Sequence, residues 1–235
     1  SALASNTEGI RNTAVGCGAA ACTSTGHCNV AVGYEALKFN CTTRSNVAVG
    51  SHSLYSSVIG ENVAVGSCAS CSNTTGIQNT ALGYKTLCSN TIGNCNVAIG
   101  FNTLVTSVTA HGNVAVGNAA LCCNTTGEKN VAVGNCALWN NTEAWYNVAV
   151  GHGASNTTGD NNVAIGRQPL NFNTTGMMNI GIGRQALYQN TTGKCNTAVG
   201  VYAMDENRTG CFNQAIGHSS LYNNRTGMYN NAMGY

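Results

Sequence analysis

The chain has 235 residues, room for one large or two small domains. Only 8% of them are charged, against about 25% in ordinary soluble domains. The net charge is +2 and the ten Lys and Arg residues are scattered, so they form no basic stripe for a nucleic-acid backbone. No apolar run approaches the ~20 residues of a membrane span.

Read in chain order, the sequence states one pentapeptide repeatedly. It begins as NTAVG at 12–16 and becomes NVAVG at 29–33, 46–50 and 62–66, then NTALG at 79–83 and NVAIG at 96–100. NVAVG returns at 113–117, 130–134 and 147–151, followed by NVAIG at 162–166 and NIGIG at 179–183. The last copies are NTAVG at 196–200, NQAIG at 213–217 and NNAMG at 230–234. The leading asparagines are Asn12, Asn29, Asn46, Asn62, Asn79, Asn96, Asn113, Asn130, Asn147, Asn162, Asn179, Asn196, Asn213 and Asn230. Eleven of the thirteen spacings are 17 residues; Asn46 to Asn62 is 16 and Asn147 to Asn162 is 15. A fixed period over a whole chain is the mark of a solenoid.

With the Asn as column one, the consensus is N-V-A-V-G-x-x-A-L-x-x-N-T-T-G-x-x. Helical repeats need about 33 residues or more. A 17-residue unit with one β-branched stretch, one Ala-Leu stretch and two corners fits two short strands and two turns. The expected fold is all-β: a single repeat domain over 1–235, built as a parallel β-solenoid or β-roll of about 14 coils. At a strand spacing of ~4.8 Å the stack measures roughly 65–70 Å. Side chains alternate between faces of a strand. Column four is never polar and is expected inside with the column-nine Leu; column two, which admits Thr and Gln, is expected nearer a rim. The Ala and Gly of columns three and five form a strip that another backbone approaches closely, either the far wall of a thin coil or a neighbouring chain. The column-one asparagines are expected to stack as an amide ladder.

These residues carry a resemblance. NVAVG followed by Ala-Leu is similar to the coils of trimeric autotransporter adhesin heads. The longer NVAVGYEAL…NTTG unit resembles tandem repeats of tail-fibre-like proteins of phages, giant viruses and some bacteria. The resemblance covers the whole chain, although the period exceeds that of the adhesin coil and no heptad stalk or membrane anchor is present. It implies a left-handed β-roll, often trimeric, in an extracellular or virion appendage.

The first residue is Ser1 rather than Met, as expected of a processed product or of a segment. Ser1 falls in column seven, Ala2 and Leu3 in columns eight and nine. Met233, Gly234 and Tyr235 fall in columns four to six, so Ser1 of an identical chain continues the coil that Tyr235 leaves open. Neither end carries the atypical polar repeat that normally caps a solenoid. Two compatible readings follow: head-to-tail stacking into a fibre, or a window of a longer chain.

The N-T-T-G stretch reads as a turn, with its Gly supplying positive φ. It also spells glycosylation sequons at Asn40, Asn73, Asn124, Asn156, Asn173, Asn190, Asn207 and Asn224, and Asn140 lies one residue off that column. A stripe of sugars and a plain turn are the two readings. Cys71 and Cys88 share column ten of adjacent coils, ~5 Å apart and within disulfide range; Cys195 and Cys211 are one column out of step. Thirteen Cys residues leave at least one thiol unpaired or bonded to another chain. Cys68 and Cys71 form a lone C-A-S-C with no second ligand pair, so no zinc site or other cofactor is expected. The five His residues and eight acids are dispersed, with no Ser–His–Asp grouping and no paired carboxylates, and the chain is not read as an enzyme. Tyr34, Tyr84 and Phe101 in column six, with Tyr55, Trp139, Tyr188 and Tyr222 in column ten, are candidates for sugar or receptor contact, for a seam between chains, or for coil-to-coil stacking. An ice-binding array would need alternating T-x-T, whereas the Thr residues here are adjacent. The function these readings support is a self-associating extracellular structural fibre. The alternative is a trimeric shaft or adhesin that attaches to a host or surface.

Overall fold

The computed structural model describes residues 1–154 and 158–235. The chain divides into two compact units, Ser1–Ala119 and Ala120–Tyr235. The first carries β1 (Thr13–Val15), β2 (Val30–Val32), β3 (Val47–Val49), β4 (Val63–Val65), β5 (Thr80–Leu82), β6 (Val97–Ile99) and β7 (Val114–Val116). The second carries β8 (Val131–Val133), β9 (Val148–Val150), β10 (Val163–Ile165), β11 (Ile180–Ile182), β12 (Thr197–Val199), β13 (Gln214–Ile216) and β14 (Asn231–Met233). Within each unit successive strands pair in parallel with columns in register, as in Val30↔Val47 and Ile180↔Thr197. Each unit is therefore a parallel β-solenoid with one coil per repeat. No helix occurs among the described residues.

The 16- and 15-residue coils keep this register: Val47 pairs with Val63 and Val148 with Val163. The missing residues are therefore lost between strands, and the strand pairing is intact.

Each strand is only three residues long, so one side chain per strand points inward. That residue is the column-three Ala: Ala31, Ala48, Ala64 and Ala81 in the first unit, and Ala132, Ala149, Ala164 and Ala198 in the second, are fully buried. It faces the column-eight Ala and column-nine Leu, represented by Ala36 and Leu37 or by Ala186 and Leu187, which are also fully buried. The expectation that column four lies inside is overturned. Val15 is 58% exposed, Leu82 44% and Ile216 43%, and columns two and four together form the outer face of the sheet. The interior is too thin for Val opposite Leu, and the never-bulky Ala strip marks the far wall of a thin coil. The outward Val side chains shelter one another along the stack, as β-branched residues do on a pleated face.

The second expected strand is also corrected. The Ala-Leu stretch is a run of tight turns: Ala36 N–H donates to Gly33 O and Asn40 N–H to Leu37 O, each at 3.4 Å. Columns seven and nine are left-handed, with Glu35 at φ 52° and Leu37 at φ 54°. Each such residue costs about 1–2 kcal/mol. The turn it permits aims N–H groups along the stack: Glu35 N–H donates back to Cys17 O at 2.9 Å, and Leu37 N–H donates forward to Ser53 O at 2.9 Å.

Positive φ among the glycines also differs from expectation. It marks every column-five Gly rather than the N-T-T-G column: Gly33, for example, has φ 135°, and an added Cβ there would sit 2.6 Å from Gly50 O. The N-T-T-G glycine is required by close approach: a Cβ on Gly76 would collide with Asn73 Oδ1 and Gly93 O.

Candidate functional site

The feature repeated in every described coil is a hydrogen-bonded contact between coils. In column one, Asn46 N–H and Nδ2–H both donate to Asn29 Oδ1, at 3.0 and 3.3 Å, and Asn29 Nδ2 donates to Thr43 O at 2.8 Å. The backbone link runs without a break from Asn12 through Asn29, Asn46, Asn62, Asn79 and Asn96 to Asn113 in the first unit. In the second it runs from Asn130 through Asn147, Asn162, Asn179, Asn196 and Asn213 to Asn230.

A second ladder, absent from the sequence reading, occupies column twelve. Asn90 Nδ2 donates to Asn73 Oδ1 at 2.8 Å, Asn141 to Asn124 at 2.9 Å, Asn190 to Asn173 at 2.8 Å and Asn207 to Asn190 at 2.9 Å. The same Nδ2 closes its own turn, as from Asn73 to Gly76 O at 2.9 Å. The available signal was that column twelve holds only Asn, Ser or Thr. Where it holds Ser107, the ladder breaks: the shorter side chain leaves Asn90 Oδ1 buried without a partner.

This ladder corrects the sugar-stripe expectation. Asn40, Asn73, Asn124, Asn173, Asn190 and Asn207 are at most 2% exposed. The Nδ2 that would carry a glycan is buried in the coil, and in Asn73, Asn124, Asn173, Asn190 and Asn207 it donates to the carbonyl three residues on. Asn224 is half-buried at the end of the same ladder and bonds to Asn207 Oδ1 at 3.3 Å. Asn140, one column earlier, is exposed. Asn156 lies outside the described residues.

All thirteen cysteines are free thiols, so no candidate disulfide is formed in the structure. Cys71 Sγ and Cys88 Sγ approach to 3.2 Å. Cys195 and Cys211 are not matched: Cys211 Sγ accepts from Lys194 N–H at 3.3 Å, because column sixteen stacks on column sixteen.

Most of the candidate aromatics stack on rings of adjacent coils. Tyr84 lies parallel to Phe101 at 5.4 Å, and Phe39 meets Tyr55, and Phe172 meets Tyr188, edge-on at 5.0 Å. Tyr34 contacts His52 at 5.3 Å, and Tyr222 contacts Tyr202 at 6.4 Å. Trp139 is 45% exposed. An open cavity of about 440 Å³ lies beside Phe172, Tyr188, Gln189 and Arg208.

Charge is sparse but locally organised. Lys38 Nζ bonds Glu35 Oε1 at 2.7 Å and holds that carboxyl below its usual range. Asp205 is 5% exposed, and burial, with help from Glu206, pushes it up to about 6.

No family model, curated protein or solved structure matches this chain.

At the terminal coils, Ser1 is exposed and Ala2 and Leu3 are half-exposed, while Leu3 N–H donates to Ala19 O at 3.0 Å. Met233 pairs with Ile216, Gly234 N–H donates to Ile216 O at 2.9 Å, and the Tyr235 ring stacks on His218 at 5.1 Å.

Proposed function

We propose that the chain is a structural subunit of an extracellular fibre, and that copies add to one another coil on coil. The observation carrying this reading is the directional ladder. Within each unit the column-one Asn of one coil presents an Oδ1 acceptor, and the next coil supplies N–H and Nδ2–H donors. Asn230 offers the same acceptor, and Asn12 the same donor, to a further coil supplied by a second copy. Such a contact is heterologous and does not close on itself. Repetition of coils stabilised mainly by their neighbours supplies stiffness without a large globular core. The extracellular placement rests on the resemblance of the repeats to appendage proteins.

A second reading, a shaft of an attachment fibre in which several chains pack side by side, is favoured by the outward apolar face of columns two and four. Electron microscopy of the native material separates the two. Continuous fibres with an axial spacing of about 4.8 Å are the expected result. Discrete rods of fixed length, especially three-fold ones, would overturn axial addition and favour the shaft.

A further inference from the structure

Stacking brings Cys71 and Cys88 together from column ten of adjacent coils, with their Sγ atoms 3.2 Å apart. Both thiols are half-buried. Cys71 also lies 3.8 Å from Ser72 Oγ and 3.5 Å from Cys88 O. With His52, Tyr55, Ser56, Cys68 and Ser72 it lines an open surface cavity of about 340 Å³, large enough to admit a small thiol reagent. Hydrogen bonding from the Cys88 thiol, aided by Ser72 and by His52, brings Cys71 down to about 6. The same bond, with burial and the nearby Cys68, raises Cys88, and Lys85 opposes this weakly. Of the two thiols Cys71 is thus the more acidic, with Cys88 placed to donate to it.

We propose that Cys71 and Cys88 form a redox-sensitive dithiol that closes into a disulfide between two coils by exchange with a low-molecular-weight disulfide, with Cys71 as the attacking thiolate. In the first step Cys71 Sγ attacks one sulfur of the small disulfide. A mixed disulfide forms, and the other half leaves as a thiolate that takes a proton from solvent. In the second step Cys88 gives its proton to solvent and attacks Cys71 Sγ, and the second half leaves as a thiol. Two protein thiols are oxidised and one small disulfide is reduced to two thiols. The link spans one full coil, so it locks the coil of β4 to that of β5. In the reduced protein those two coils are joined only by the chain between them and by their non-covalent contacts.

The lowered pKa leaves more of Cys71 as thiolate near neutral pH than an ordinary thiol has. Part of that gain is lost because a more acidic thiolate is a weaker nucleophile. The decisive readout is therefore the pH profile. Alkylation of Cys71 by iodoacetamide should level off above about pH 7, and a rate that keeps climbing steeply beyond that point would overturn its role as the attacking thiolate.

The test treats the full chain with glutathione disulfide, maps its peptides, and then reduces it. The expected product is a Cys71–Cys88 link with the loss of two hydrogens, reversed by dithiothreitol and unaffected by Cys68→Ser. In Cys88→Ser the reaction should stop at a glutathione adduct on Cys71. Cys71 and Cys88 remaining alkylatable after oxidation, a link to Cys68 instead, or no adduct on Cys71 in Cys88→Ser would overturn the proposal. The wild-type map needs no variant to fold, and none of these outcomes depends on whether the chain forms fibres.

Discussion

Removing one rung from the inner ladder should cost far more than removing the last one. Asn196 Nδ2 donates to Asn179 Oδ1 at 3.1 Å and to Gly210 O at 2.7 Å. Its Oδ1 accepts from Asn213 N–H at 3.0 Å and from Asn213 Nδ2 at 3.1 Å. In Asn196→Ala the buried Asn213 N–H loses its acceptor outright, at about 1–3 kcal/mol. The three side-chain bonds lost with it contribute about 0.5–1.5 kcal/mol each, less what Gly210 O regains from its remaining partner Asn207. The sum is about 2–6 kcal/mol. Asn230→Ala removes only the Nδ2 bond to Asn213 Oδ1, because the backbone N–H still donates there, and should cost about 1 kcal/mol. Urea denaturation followed by far-ultraviolet circular dichroism, on protein dilute enough to stay unassembled, measures both. Equal losses in the two variants, or less than 1 kcal/mol for Asn196→Ala, would refute the view that the ladder holds the coils together.

The inward and outward faces of the strand can be tested within a single coil. Ala64→Val forces two methyl groups into a fully buried site and should cost about 1–3 kcal/mol. Val65→Thr, on the outer face, should change stability by about 0.5 kcal/mol or less; thermal melts that rank the two variants the other way would reverse the faces. Asp205 gives a pH dependence. Its pKa in the fold is raised to about 6 from an ordinary 3.8, so the fold favours the protonated form. That contribution is complete below about pH 4 and is lost as pH rises through 6, a span of about 2–3 kcal/mol. Asp205→Asn should therefore match the wild type near pH 4 and exceed it in stability at pH 8. Parallel stability curves across that range would show that Asp205 titrates alike in the folded and unfolded chains.

The period, the parallel coils and the column-one ladder could be read from the sequence because each shows as an unchanging residue at a constant spacing. The side of the sheet that faced inward could not be read in the same way. Alternation states which residues share a face, and Val seemed the natural core residue. The better clue was volume, since only Ala or Gly occupies column three and a thin coil has no space for more. The Ala-Leu turns were hidden for another reason. Propensity rules assign Leu37 to a strand or helix, yet the fold holds it in a left-handed conformation because its N–H then reaches the next coil. The N-T-T-G asparagines were read as surface residues because Asn favours exposed turns. Stacked in register, Asn73 and Asn173 each find an identical amide in the next coil, and burial becomes affordable.

The two short coils lose residues between strands and leave the pairing of Val47 with Val63, and of Val148 with Val163, intact. A gene encoding such a chain can thus tolerate two kinds of copying error. A slip of a residue or two is absorbed between strands, and gain or loss of a whole repeat joins coils whose facing surfaces already match. Length in this architecture can drift or be selected by recombination between near-identical segments, without the core having to be reinvented.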